Sequence, residues 1–322
     1  MTVNAWITAL TWLDLSGLAI ATGALVSALW LFPPAEESGG RPDQSGSQGP
    51  WARRLFGLSL CLLSISSLGI LWARTVVMSG MPWHRALSDA PLILQHTHFG
   101  SIWLWRLGIL ALGWITWWRW SYARAGKRGL LPVALLFVAA MAFTRSATGH
   151  PADQGDFTLR EFSDWLHMMT AAVWIGGVIG SAIVISPWTH GRHSPAGKAG
   201  MRSISRLSSL AGFALTLILA TGICNAWWAL PTVADLWTTD YGRTLLAKLA
   251  LVAVLIALGA LNRYYFIPGL RALESANDHT SPATTMPSLH NRFAVNLIIE
   301  ALLMILLLAV VAGLTQGIPP QA

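Results

Sequence analysis

His167 stands inside a long apolar stretch, with Asp164 three residues before it and Met168 beside it. On a helix, residues i and i+3 share a face, so Asp164 is placed to hold the imidazole in one tautomer while a ring nitrogen binds metal. His150 closes the preceding apolar segment, and the short connection through Gly155 returns the chain toward His167, which would let the two imidazoles meet. Imidazole with thioether suits copper, as Cu(I) or Cu(II), better than magnesium or calcium, and zinc is also accommodated. The plainer reading is a loop histidine and a packed helical one. Met81, His84, His96 and His98, with Met78 nearby, gather around another connection and offer donors that copper accepts in either oxidation state. The same residues also read as an ordinary loop, since His96 and His98 share a side only in extended chain.

Four charged residues, Asp14, Arg106, Lys248 and Glu300, fall inside apolar stretches. Each costs roughly 2.5–3.5 kcal/mol on insertion scales, so each needs a partner or a hydrated cavity. Asp14 and Arg106 are at matching depths and read either as a structural ion pair or as part of an ion or proton path. Lys248 poses the same question, with Glu161 or Asp164 as its partner. Cys61 and Cys224 lie far apart in apolar segments, which leaves neither a disulfide framework nor a CxxC metal site.

These residues must be positioned by membrane helices. Of the 322 residues 54% are hydrophobic and 11% charged, and several apolar stretches reach the roughly 20 residues that cross a ~30 Å hydrocarbon core. A soluble domain is excluded. The expected architecture is an all-α integral membrane protein of about eight transmembrane helices, near 5–32, 54–78, 98–119, 129–147, 162–187, 204–228, 243–266 and 293–315, forming a single membrane domain over 1–322. The first forty residues hold no Lys or Arg, so the first segment reads as a retained helix instead of a cleavable signal.

The net charge of +7 is spread over short loops, which is the pattern that orients a membrane protein and sets nucleic acid aside. Most of the 21 Lys and Arg, among them Arg41, Arg53, Arg54, Arg119, Arg124, Arg192, Arg206, Arg263 and Arg271, gather beside the loops after spans one, three, five and seven. Those loops are expected to be cytoplasmic and both termini periplasmic. The opposite loops carry Asp89, Asp153, Asp156, Asp235 and Asp240, an outer face expected to favour cations.

Trp12-Leu13-Asp14 matches Trp165-Leu166-His167, with Gly23 and Gly176 at the same offset, and Phe99-Gly100 then Arg106-Leu107 matches Tyr241-Gly242 then Lys248-Leu249. This reads as two parallel four-helix repeats, 1–150 and 151–322, with Asp14 and His167 in equivalent places; chance similarity between apolar helices is the alternative. Most of the 18 tryptophans are attributed to interfacial belts, and Gly176 with Gly180 to close helix packing. No GxxxxGK[ST] loop is present, so no nucleotide is expected, and no enzymatic turnover either.

The stretch Asp164-Trp165-Leu166-His167-Met168-Met169-Thr170-Ala171-Ala172-Val173-Trp174-Ile175-Gly176-Gly177 resembles the signature helix of the copper resistance protein D family. Arg206 through Asn225, Thr239 through Lys248, Leu261-Asn262-Arg263 and Asn291 through Glu300 continue the match in family order, while the first half matches mainly by span pattern. The resemblance implies a multi-pass protein of the bacterial inner membrane that moves or delivers copper inward from a separate periplasmic copper-binding protein. It also matches His150 and His167 to the family's histidines, and Lys248 and Glu300 to its buried charges. The alternative from another class is a membrane redox protein holding haem b with His167 as an axial ligand.

Overall fold

The computed structural model describes residues 2–32, 48–122, 130–185, 198–277, 286–317 and 319–320, and among them the regular elements are all helical. The long helices are α1 Val3–Val26, which continues as a π-turn Ser27–Leu31, α2 Gln48–Ser79, α5 His98–Tyr122, α6 Leu130–Ser146, α7 Leu159–Ile185, α8 Lys198–Ala229, α10 Asp240–Leu261 and α12 Met286–Leu314. Short helices α3 Trp83–Ala86, α4 Ala90–His96, α9 Asp235–Thr238 and α11 Ile267–Asn277 fill the connections. Arg41, Arg124, Lys127, Arg128, Arg192, His190, His193 and His279 lie outside the described residues.

The chain is an all-α, multi-pass membrane protein. Seven of its described helices are long and apolar enough to span a bilayer, and Pro132–Ser146 is a shorter apolar one where the fourth of the eight expected spans falls. At 1.5 Å per residue the 17 residues of α6 reach about 25 Å, short of a ~30 Å core. The expected end near 266 is corrected. Asn262–Phe266 forms a π-turn that carries α10 straight on into α11, so helix persists to Asn277.

α1 is central and packs on α2, α6, α7 and α12. It crosses α7 at Gly23 and Gly176, where a Cβ on either glycine would collide with the other's backbone, and Gly180 lies against Ser27. Without side chains the two backbones approach closely, the main source of helix cohesion where lipid is as apolar as the core. Tryptophan contributes more than a belt: Trp12 Nε1 donates to Ile305 O (3.1 Å), Trp103 to Ser67 O (3.0 Å), Trp117 to Arg53 O (2.9 Å) and Trp165 to Ala139 O (3.0 Å). Trp105, Trp118 and Trp227 instead expose their rings on the outside of the bundle.

α5 and α10 begin alike. Thr97 Oγ1 donates to Ile93 O (2.7 Å) and accepts from Gly100 N (2.9 Å), while Thr239 Oγ1 donates to Asp235 O (2.7 Å) and accepts from Gly242 N (2.9 Å). Gly100 and Gly242 each press on the backbone of the preceding short helix, where a Cβ would collide. One contact differs between the halves: α2 packs along α5, whereas α8 and α10 hardly touch. At the end of the bundle opposite His150, arginines fasten onto neighbouring helices, Arg206 to Trp30 O (2.8 Å), Arg271 to Ser205 Oγ (2.8 Å) and Arg263 to Ser208 Oγ (3.2 Å).

Candidate functional site

A cavity of about 400 Å³ opens beneath the α6–α7 connection, walled by α1, α7, α8, α10 and α12. His150, Asp164, His167, Met168 and Lys248 all line it. Tertiary structure thus gathers five of the residues singled out by type and spacing into one space, although they span almost a hundred positions.

His167 Nδ1 lies 3.0 Å from Thr221 Oγ1 on α8. The single hydroxyl proton of Thr221 goes to Leu217 O at 2.6 Å, so toward the ring this oxygen accepts. Nδ1 therefore carries the proton, the Ile218 carbonyl is a second α8 neighbour of the ring, and among the described residues no hydrogen bond is assigned to Nε2. The expectation that Asp164 orients this imidazole is corrected: Asp164 Oδ2 accepts from Ser146 Oγ at 2.8 Å, which ties it to α6. Three residues are 300° of helix, and here the 60° shortfall sends Asp164 toward α6 and His167 toward α8. Gly222 makes room for the ring, since its Cβ would stand 3.3 Å from His167 Cε1.

His150 sits at the mouth, half-exposed, with Nδ1 3.2 Å from Asp153 Oδ2. Met168 lines the same wall as His167. Among the described residues no three His, Cys, Asp or Glu side chains converge as a metal site; His150, His167 and Met168 have in common that they line this cavity. Lys248 forms no hydrogen bond or ion pair with the described residues, and Asp164 is the carboxylate whose charge reaches it. Glu161 is committed elsewhere through one oxygen, while its Oε1 is buried without a hydrogen-bond partner among the described residues. It is fully buried, its Oε2 accepts from Phe157 N (2.5 Å), and Thr158 Oγ1 accepts from its own N–H (3.2 Å), a capping arrangement at the start of α7.

Profiles of the family described as "Copper resistance protein D-like, N-terminal domain" and "Copper resistance protein D" match residues 1–159 and 201–314. The chain belongs to the copper resistance protein D family. It is 28% identical over 216 residues to the copper transport protein CutJ of Bacillus subtilis, covering 65% of this chain and 39% of that protein. It is 25% identical over 250 residues to copper resistance protein D of Pseudomonas syringae pv. tomato, covering 77% and 79% of the two chains. With the inner membrane protein YebZ of Escherichia coli it shares 26% over 185 residues, 56% and 58% of the two. The chain thus spans about two fifths of CutJ and most of the Pseudomonas protein. No solved structure matches it. As a member of the copper resistance protein D family, it is a multi-pass inner membrane protein with a copper-related function.

The other buried charges of this family member lie outside the cavity. Arg106 pairs with Asp14, donates from Nε to Ser67 Oγ (2.8 Å) and from Nη1 to Thr144 Oγ1 (2.9 Å), and stacks 5.0 Å from the Trp103 ring. Ser66 Oγ donates to Asp14 at 2.9 Å, and both charged side chains are buried. This closed, satisfied geometry is that of a structural ion pair. Glu300 accepts at one oxygen from Asn262 Nδ2 (2.7 Å) and Asn296 Nδ2 (3.2 Å), on the same helix as the cavity-lining Leu307 and Val311. Met81, His84, His96 and His98 belong to the segment of short helices and the start of α5 and do not line the cavity; His98 Nε2 meets Asp156 Oδ1 at 2.8 Å.

Spacing arguments missed Thr221, Asn225, Tyr241, Arg74, Arg145 and Arg160, all cavity or imidazole neighbours. Arg74 and Arg145 were detectable, because both fall inside predicted spans and meet the same test as Arg106. The expected cation-favouring outer face does not extend into the cavity: Arg74, Arg145, Arg160 and Lys248 outnumber Asp153 and Asp164 on its wall.

Proposed function

We propose that this protein moves or hands on copper across the inner membrane, taking it from the periplasmic side at His150, His167 and Met168. The observation that carries this reading is one cavity whose lining includes two imidazoles and a thioether, with no hydrogen bond assigned to His167 Nε2 among the described residues. Those are donors that copper accepts and that magnesium and calcium do not. The names of two relatives, a copper transport protein and a copper resistance protein, support the choice of metal. The cavity mouth faces the periplasm if the arginine-rich opposite end is cytoplasmic, as positive-inside charge predicts. Copper would then come from a separate periplasmic copper-binding protein, with the exposed Met81, His84, His96 and His98 at the same end as an outer collecting group. Lys248, Asp164 and the Glu300 network lie along the route inward, and the reading requires neither nucleotide nor chemical turnover.

The same proposal takes the chain as two copies of one unit, 1–150 and 151–322. The twin Thr–Gly turns and the meeting of Gly23 with Gly176 support it, since equivalent residues meet on the axis that relates two parallel copies.

The test is metal analysis with an absorption spectrum of the purified protein, alongside His167→Ala. Copper retained by the wild type and lost in the variant, with no Soret band, is the expected result. A Soret band lost in the variant would replace this reading with haem b ligation. The observation favouring that alternative is that His167 shares the cavity wall with the apolar side chains of Trp174, Ile175 and Leu245.

A further inference from the structure

Arg74, Arg160 and Lys248 face the cavity without a hydrogen bond or ion pair to any described residue. Arg145, the fourth cation on the wall, donates only to the neutral Thr11 Oγ1, at 3.3 Å. Both carboxylates there are engaged, Asp153 with His150 and Asp164 with Ser146. Leaving the histidines aside, four cations against two carboxylates put two positive charges in excess on the wall. Charges at membrane depth pair with one another or with backbone, or face a water-filled cavity, and this unbalanced excess makes the cavity a place that attracts an anion from outside the chain.

The remainder of the cavity says what kind of anion. Beside and below the charged side chains its wall includes Ile175, Ile218, Leu245, Val252 and Leu307, a surface that solvates hydrocarbon and not a free ion. α8 and α10 form facing sides of this space yet hardly touch each other. In the first half the matching gap is absent, because α2 packs along α5. A space with a cationic rim, an apolar floor and two walls, α8 and α10, that are not packed on each other has the lining and charge of a lipid site.

We propose that the cavity binds an anionic lipid, its acidic head among Arg74, Arg160 and Lys248 and its acyl chain passing between α8 and α10. Basic pockets between transmembrane helices recognise lipid head groups by this chemistry, and each nearby Lys or Arg contributes. The site rests on charge and shape alone and stands whether or not copper binds at His167. When occupied, it would place an anionic oxygen near the copper donors and fill the space between α8 and α10.

Native mass spectrometry of the full-length protein, delipidated in a neutral detergent and offered phosphatidylglycerol or phosphatidylcholine, tests this. The wild type is expected to retain one phosphatidylglycerol over phosphatidylcholine by at least about tenfold, and Arg74→Gln/Arg160→Gln to lose that preference. Val252→Phe, which keeps every charge and narrows the apolar floor, is expected to retain less of the lipid and guards against a folding defect in the arginine variant. Equal retention of both lipids by the wild type, or a preference unchanged by the arginine substitutions, overturns the proposal. Inorganic phosphate that displaces phosphatidylglycerol at millimolar concentration overturns the lipid assignment in favour of a free-anion site. Copper content measured on the same samples separates the two proposals: copper kept by Arg74→Gln/Arg160→Gln while lipid preference is lost supports this one without touching the other.

Discussion

Two polar centres occupy matching places in this molecule and have opposite characters. Arg106 and Lys248 each come six residues after a glycine pressed on a short helix, and Asp14 and His167 each come nine residues before one of the two glycines at which α1 and α7 cross. Around Asp14 and Arg106 the charges cancel, serines and threonine take the remaining polar atoms, and the space is closed. Around His167 and Lys248 no such pairing is available, because neither residue carries a negative charge, and the space between α8 and α10 stays open. Opposite charges turn the position into a lock, whereas a neutral donor beside a cation leaves room for something to bind.

That contrast breaks hardest at the lock. Asp14→Ala leaves the Arg106 guanidinium buried without its counter-charge, and removing one partner of a buried pair costs about 3–5 kcal/mol. Detergent-solubilised protein should therefore unfold at markedly lower temperature or fail to accumulate in the membrane. Asp14→Leu/Arg106→Met should recover a substantial part of that loss, and a double variant as unstable as the single would show that the pair is not acting as a unit.

His167→Ala gives up one hydrogen bond, with Thr221, and a typical one contributes about 1 kcal/mol, so folding should stay close to wild type while bound copper is removed. Thr221→Val takes away the acceptor that fixes the imidazole tautomer, and loss of such a supporting group weakens metal affinity about 10–100-fold. Copper titration of the two variants side by side checks both expectations; a Thr221→Val protein that binds like wild type would mean the tautomer is set by another contact.

The comparison can also be sharpened by conversion. His167→Asp/Lys248→Arg writes the chemistry of the first centre into the second, and is expected to abolish copper retention without lowering the unfolding temperature. Preserved copper binding in that variant would move the donors away from His167. The smallest effect belongs to His98→Ala, which removes a half-exposed pair with Asp156; exposed pairs contribute about 0–1 kcal/mol, so thermal unfolding should barely shift.

Much of this was legible in the linear chain because the bilayer imposes it residue by residue. A helix must satisfy its own backbone and present apolar side chains over a fixed length, and that local demand writes the spans, the cost of Asp14, Arg106, Lys248 and Glu300, and the oddity of a histidine in apolar surroundings directly into composition. The family match could be read for the same reason, from one contiguous helix carrying His167. α6 was less legible, since 17 residues stop short of the spanning length that the other helices reach.

What stands beside each of those residues was decided only by tertiary structure. Asp164 and His167 share a helix but part toward α6 and α8, so the hydroxyl that sets the imidazole tautomer comes from Thr221, 54 positions away. Glu161 caps its own helix and is not available to Lys248. The excess of cations around the cavity joins side chains from α2, α6, α7 and α10, and two of its walls, α8 and α10, hardly touch each other. Hydropathy records how each residue partitions between water and hydrocarbon; which groups then meet depends on helix rotation and crossing, set here by glycines at 23 and 176 that let two backbones touch.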